Sequence, residues 1–247
     1  MIFILLIKYI IFLGIIFSHE IYDKPNWKKY YRGSYIFNNN SDYGFGAYSR
    51  FKRTTKHTFK DLRFFLHATG SNSYKKLRYK NSSRLREFYS FYNFSTIAID
   101  QNTKVGVDIR YHGNQGLGVF LKNFNKAHIN AEIALAYDIS DYLNDSRKTS
   151  YFKSGLFWDY EFDLYEIKFE IENFKQISEL MNEQDLSRIE ILFESYFSID
   201  DNWQIIIGYE YEKIKKSRND INSSIYISVG YHDLLNVSKL RSKIFRN

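Results

Sequence analysis

Six histidines, His19, His57, His67, His112, His128 and His232, are the side chains best suited to moving a proton near neutral pH. A membrane-embedded hydrolase needs one of them beside a serine nucleophile and an orienting polar group. On a strand the partner stands two positions away, because alternate side chains share a face. None of the six has serine two positions later, and only His67 has a hydroxyl at that position, Thr69. Glu170/Glu172 and Glu210/Glu212 have the same spacing, which suits acid–base chemistry or a cation site. A wet polar face with like charges two apart accounts for them more simply. No HxH, HExxH or acidic calcium loop occurs, and the GxG at Gly116 and Gly118 lies in a strand-like stretch without a following helix pattern. The absence of cysteine removes disulfides, thiolate zinc sites and a thiol nucleophile. The chain reads as non-enzymatic, with no catalytic residue, metal or cofactor.

The elements that carry these side chains alternate with a period of two. Tyr165, Ile167, Phe169 and Ile171 interleave with Glu166, Lys168, Glu170 and Glu172. Trp203, Ile205, Ile207, Tyr209 and Tyr211 interleave with Gln204, Gly208, Glu210 and Glu212. Such alternation marks strands with one apolar and one polar face. Turn signals divide the chain into about twelve strands: 30–37, 43–53, 57–68, 84–94, 103–112, 115–124, 128–138, 149–160, 163–175, 186–197, 202–213 and 222–231. The connections on one side, 69–83, 139–148, 176–185 and 214–221, are the longer set. Those on the other side are short, apart from a link at 95–102. Gly113-Asn114 reads as a two-residue hairpin turn.

Composition agrees with strands that are wet on one side and oily on the other. Aromatic residues make up 19% of the 247, yet mean hydropathy is −0.44 and there is one proline. A closed barrel facing lipid outside and water inside reconciles these values. Aromatics such as Trp158, Tyr160, Phe169, Phe193, Trp203, Tyr209 and Tyr211 fall on the apolar set, several near strand ends, as interfacial girdles do. The fold expected is all-β, a closed antiparallel up-and-down transmembrane β-barrel. A secreted soluble β-barrel or sandwich binding an apolar ligand is the alternative, since alternation alone does not say which face is the core.

The first residues, MIFILLIK followed by YIIFLGIIF, have the charge and apolar run of a secretory leader, with a retained membrane anchor as the alternative because no clean A-x-A cleavage pattern follows. The expected organisation is a signal peptide at 1–18, a short periplasmic segment at 19–29, the barrel at 30–233 and a basic tail at 234–247. Export argues against nucleic acid as a partner. The net charge of +7 is divided unevenly: residues 20–126 carry +13 and residues 127–247 carry −7. If the apolar set faces lipid, Arg50, Arg63, Lys104, Arg110 and Lys122 form a basic wall of the lumen. Glu132, Glu166, Glu170, Glu190, Glu194 and Glu210 form an acidic wall. Two outcomes stay open: a narrow pore with a transverse field, or a filled lumen in which the charges pair.

Three stretches, GSYIFNNNSDYGFGAYSRF, NQGLGVFLKNFNKAHINAEIALAYD and NWQIIIGYEYEKIKKSRNDINSSIYISVGY, resemble the YdiY-like salt-induced outer-membrane protein family, domain of unknown function 481. The resemblance covers roughly 30–233. It implies an outer-membrane barrel of a Gram-negative bacterium, with outer-membrane lipid and the barrel-assembly machinery as partners. It brings no catalytic residue, cofactor or substrate. Such barrels usually end on an aromatic in the last strand, whereas here HDLLNVSKLRSKIFRN follows Tyr231.

Overall fold

The computed structural model describes residues 27–38, 43–70, 72–103, 107–123, 126–141, 147–162, 164–179, 185–215 and 221–235. The expected leader and most of the expected tail lie outside these residues, as does Lys104. Twelve strands follow in order: β1 (Trp27–Asn38), β2 (Tyr43–Thr54), β3 (Thr58–Thr69), β4 (Asn72–Arg84), β5 (Phe91–Asn102) and β6 (Val107–Asn123). Then come β7 (Ala127–Ser140), β8 (Arg147–Glu161), β9 (Tyr165–Gln176), β10 (Arg188–Ser198), β11 (Trp203–Ile214) and β12 (Ile221–Leu235). Each pairs antiparallel with its sequence neighbours, and β1 closes on β12 from Trp27 opposite Leu235 to Asn38 opposite Ser224. Closure leaves no unpaired edge, the condition a sheet must meet to cross a bilayer.

The side chains are arranged opposite to those of a water-soluble barrel. Ile97 (61% exposed), Ile133 (54%), Leu135 (58%) and Ile227 (49%) point outward. Asp61, Glu132, Asp138 and Lys153 are each at most 2% exposed and face the lumen. Aromatics collect outside at both rims. Tyr35, Phe37, Tyr43 and Phe45 pack together at the far rim, where β1 ends and β2 begins. Tyr160, Phe162, Tyr165 and Phe197 pack together at the near rim, where β8 meets β9.

Inside, two tyrosines lie flat over glycines of the neighbouring strand. A Cβ on Gly118 would fall 2.2 Å from Cζ of Tyr92, and one on Gly208 would fall 2.1 Å from Cζ of Tyr226. The missing Cβ is therefore what admits each ring, and both rings use the space to reach a lumenal glutamate.

The region between β3 and β7 corrects the sequence reading. Residues 72–84, read as part of a long connection, are β4, and the link at 95–102 belongs to β5. The strand expected at 84–94 straddles the connection 85–90. Gly113-Asn114 is not a turn, because β6 runs unbroken from 107 to 123, with Gly113 opposite both Ile97 and Tyr137. A two-residue type I′ turn needs positive φ at both central residues. Among the described glycines only Gly70, in the β3–β4 connection, has positive φ, at 53°. At the other end, β12 continues past Tyr231 to Leu235, with Asp233 opposite Lys29.

Candidate functional site

The lumen holds two kinds of ion pair. The first kind joins residues at most three strands apart around the barrel and is tightly hydrogen-bonded. Asp61 on β3 accepts from Arg50 Nε at 2.7 Å, from Arg50 Nη2 at 3.1 Å and from Arg63 Nε at 2.6 Å. Asp100 on β5 accepts from Arg110 Nη2 at 2.8 Å and from Arg110 Nε at 3.1 Å. Strand pairing brings the first group together directly, since Arg50 stands opposite Arg63 and Asp61 opposite Lys52. Arg50, Arg63 and Arg110 thus each engage a carboxylate from the half of the sequence that is net basic.

The glutamates are held in the same way. Glu194 accepts from Arg32, from Tyr196 Oη and, at 2.5 Å, from Tyr226 Oη. The Arg32 guanidinium also lies over the Tyr48 and Tyr226 rings, 4.4 and 5.0 Å from their centroids. Glu132 accepts from Lys80 and, at 2.9 Å, from Tyr92 Oη. Lys168 meets Glu170 at 2.6 Å, Arg188 meets Glu190 at 2.8 Å and Asp138 at 3.0 Å, and Lys153 meets Glu172 at 2.5 Å. A charge taken out of water is costly unless it is paired and hydrogen-bonded, and these side chains satisfy that condition, Arg32–Glu194, Lys80–Glu132 and Arg188–Asp138 by reaching across to strands three away.

The second kind of pair crosses the barrel and is looser. Arg63 Nη1 stands 4.0 Å from Glu170 Oε1, joining β3 to β9. Arg78 Nη2 stands 3.9 Å from Glu172 Oε1, joining β4 to β9. Arg110 Nη2 is 3.9 Å from Glu212 Oε1, and His67 Nδ1 is 3.8 Å from Glu210 Oε2, joining β6 and β3 to β11. These separations exceed the roughly 3.2 Å limit of an ordinary N–H···O bond, so attraction remains without a fixed contact. All eight residues line one lumenal cavity of about 150 Å³. Its acidic side includes Glu190, which lies directly opposite both Glu172 and Glu212 in the sheet. A smaller lumenal cavity of about 20 Å³ borders Thr96, His112 and Asn114.

One of the expected wall residues lies on the other face. Lys122 is exposed: a register shift between Phe120 and Lys122 sets it opposite Ile129, on the outward side. Glu166 keeps the inward parity, opposite the lumenal Tyr196, and lies exposed at the near mouth of the lumen. Residues that the sequence reading did not single out complete the network. Arg78 and Lys80 fell in the segment read as a loop. Arg32, Lys153 and Arg188 occupy inward positions and are a few per cent exposed along their side chains. Their signal was strand parity, which places each on the same face as its carboxylate neighbours.

Nothing in this network assembles a catalytic group. His112 Nδ1 meets Asp138, the base-and-orienter half of a triad, but Nε2 faces the Asn114 amide at 2.8 Å instead of a hydroxyl. His67 packs against the Tyr74 and Tyr226 rings. Among the described residues no group of three or more His, Cys, Asp or Glu side chains could hold a metal ion. Outside the spanning strands, Asp200 in the β10–β11 turn accepts the backbone N–H groups of Asn202 and Trp203, both at 2.7 Å. Those two bonds hold its carboxyl below the usual aspartate range.

An apolar exterior, a charged interior and full closure define the fold as that of outer-membrane β-barrels. The chain is similar to the NanC porin, with a TM-score of 0.57 at 9% identity over 82% of this chain and 98% of that one. It is also similar to an outer membrane channel from Pseudomonas putida F1, with a TM-score of 0.51 at 9% identity over 89% and 98% of the two chains. At such identities the likeness is one of fold. No family model and no curated protein matches the sequence.

Proposed function

We propose that the protein is a non-enzymatic outer-membrane barrel of a Gram-negative bacterium that passes small polar solutes through a narrow, charge-lined lumen. The observation that carries this reading is the set of four cross-lumen pairs, 3.8 to 4.0 Å apart, around a cavity of about 150 Å³. A barrel serving only as a filled plug would gain from closing those pairs to hydrogen-bond distance, as its wall pairs do. The apolar exterior favours lipid as the surrounding medium over the soluble, ligand-binding alternative. Insertion by the barrel-assembly machinery and kinship with the salt-induced outer-membrane family belong to the same proposal.

Planar-bilayer recording of the refolded protein tests it. The expected result is a small, stable conductance that rises in the double variant Arg78→Ala/Glu172→Ala, which removes two opposed side chains. Silence of both proteins, each in its folded and inserted form, would assign the barrel a structural role.

A further inference from the structure

The geometry points to small zwitterionic solutes, carrying one ammonium and one carboxylate as amino acids do, as the class this lumen selects. The inference rests on the pore reading and adds its substrate. The cavity is bordered by four cationic side chains and five carboxylates, with His67 besides. The signs are segregated. Arg63, Lys76, Arg78 and Arg110 come from β3, β4 and β6, whereas all five glutamates come from β9, β10 and β11. A monovalent ion placed between these walls is repelled by one as it is attracted by the other. A zwitterion lying across the lumen, carboxylate toward the arginines and ammonium toward the glutamates, is attracted by both.

The spacing suits such a guest. Each crossing pair is held by attraction without a hydrogen bond, so a zwitterion can part it, its carboxylate taking over the guanidinium and its ammonium the glutamate. The acidic side also has acceptor capacity to fill, because Glu172, Glu190 and Glu212 lie side by side on adjacent strands. Like charges directly opposite in a sheet repel one another, and an ammonium group placed among them relieves that repulsion. Beside the charges, Ile36, Phe65 and Leu192 give the cavity an apolar border. That border accommodates the hydrocarbon part of an amino acid.

Vesicles containing the refolded protein test this with solutes of matched size: alanine as the zwitterion, lactate as the anion, isopropylammonium as the cation and lactamide as the neutral control. Swelling rates should favour alanine over each of the others by about threefold or more. Potassium and chloride should permeate about equally, with a reversal potential near zero in a KCl gradient. Lys76→Gln/Arg78→Gln should turn the pore cation-selective, and Glu210→Gln/Glu212→Gln should turn it anion-selective. Both should abolish the alanine preference while keeping heat-modifiable gel migration, the sign of a folded barrel. A wild-type pore that conducts ions but admits all four solutes alike would overturn the zwitterion inference and leave the pore intact. Absence of conductance and of swelling would overturn both.

Discussion

Asp61 on β3 and Glu212 on β11 are both carboxylates directed into the same lumen, and they are held in different ways. Asp61 takes three hydrogen bonds of 2.6 to 3.1 Å from Arg50 and Arg63, all within two adjacent strands. Glu212 meets Arg110 across the barrel at 3.9 Å and accepts one long bond, 3.5 Å, from Asn102. Antiparallel neighbours lie under 5 Å apart, so strand register alone brings Arg50, Asp61 and Arg63 into contact. Opposite strands are separated by the barrel's diameter, and only long side chains extended from both sides can meet. Wall pairs can therefore be closed by the fold itself, while crossing pairs remain adjustable and open to a solute.

The largest effect should come from breaking a wall network. Asp61→Ala leaves two buried guanidinium groups without their carboxylate and should cost about 3–5 kcal/mol, read from urea unfolding in lipid vesicles. Gly208→Ala attacks the packing behind another such network. Its new Cβ would fall 2.1 Å from Cζ of Tyr226, so the ring must leave, and with it the hydrogen bond to Glu194. A loss of about 1–3 kcal/mol is expected from the same unfolding measurement.

A crossing residue should behave differently. Glu212→Gln should change stability by about 1 kcal/mol or less, and its effect should appear in the ratio of chloride to potassium permeability. If Glu212→Gln destabilised the barrel as much as Asp61→Ala, the distinction between the two kinds of pair would fail. The smallest effect belongs to the rim. The Asp200 carboxyl titrates below its unfolded value, so its stabilisation is present above the ordinary aspartate pKa of about 3.9 and is lost as pH falls through the lower folded value. Thermal melts of wild type and Asp200→Asn should differ by a constant amount above about pH 4 and converge below it.

Much of the second half of the barrel was legible in the sequence because large apolar residues recur at nearly every second position along its strands. Residues 165–172 alternate cleanly, residues 203–212 do so apart from the inward Ile206, and their strands begin at Tyr165 and Trp203. Reading failed between β3 and β7 for two physical reasons. In β4, NSYKKLRYKNSSR, the outward positions include Lys75, Asn81 and Ser83, so the oily face that marks a strand is weak. That segment is a strand because β3 and β5 both pair with it along its length, a tertiary cause that no local pattern reveals. In β6, Gly113-Asn114 has the composition of a turn but sits in extended, doubly paired backbone. A strand missed at 72–84 and one wrongly divided near 113 left the total at twelve.

The site was legible in sign and less so in geometry. The net charges of the two halves foretold an acidic side opposite a basic one, and the crossing pairs join these sides. What the halves concealed was local compensation: Asp61 and Asp100 within the basic half, Lys153, Lys168 and Arg188 within the acidic one. Lys122 was misassigned because alternation holds only until a bulge, and the register shift after Phe120 reverses its face.

The absence of cysteine permits a clean test of the inside-out arrangement on which this account rests. Single cysteines at Ile97, Leu135, Ile207 and Ile227, and at the inward Asn114 and Ser228, would each carry an environment-sensitive fluorophore in protein reconstituted with brominated lipid. The four outward labels should be quenched strongly by the lipid bromines and the two inward ones weakly. Equal quenching of both sets, or none at the outward positions, would mean that the apolar face does not meet lipid and that the barrel does not span a membrane.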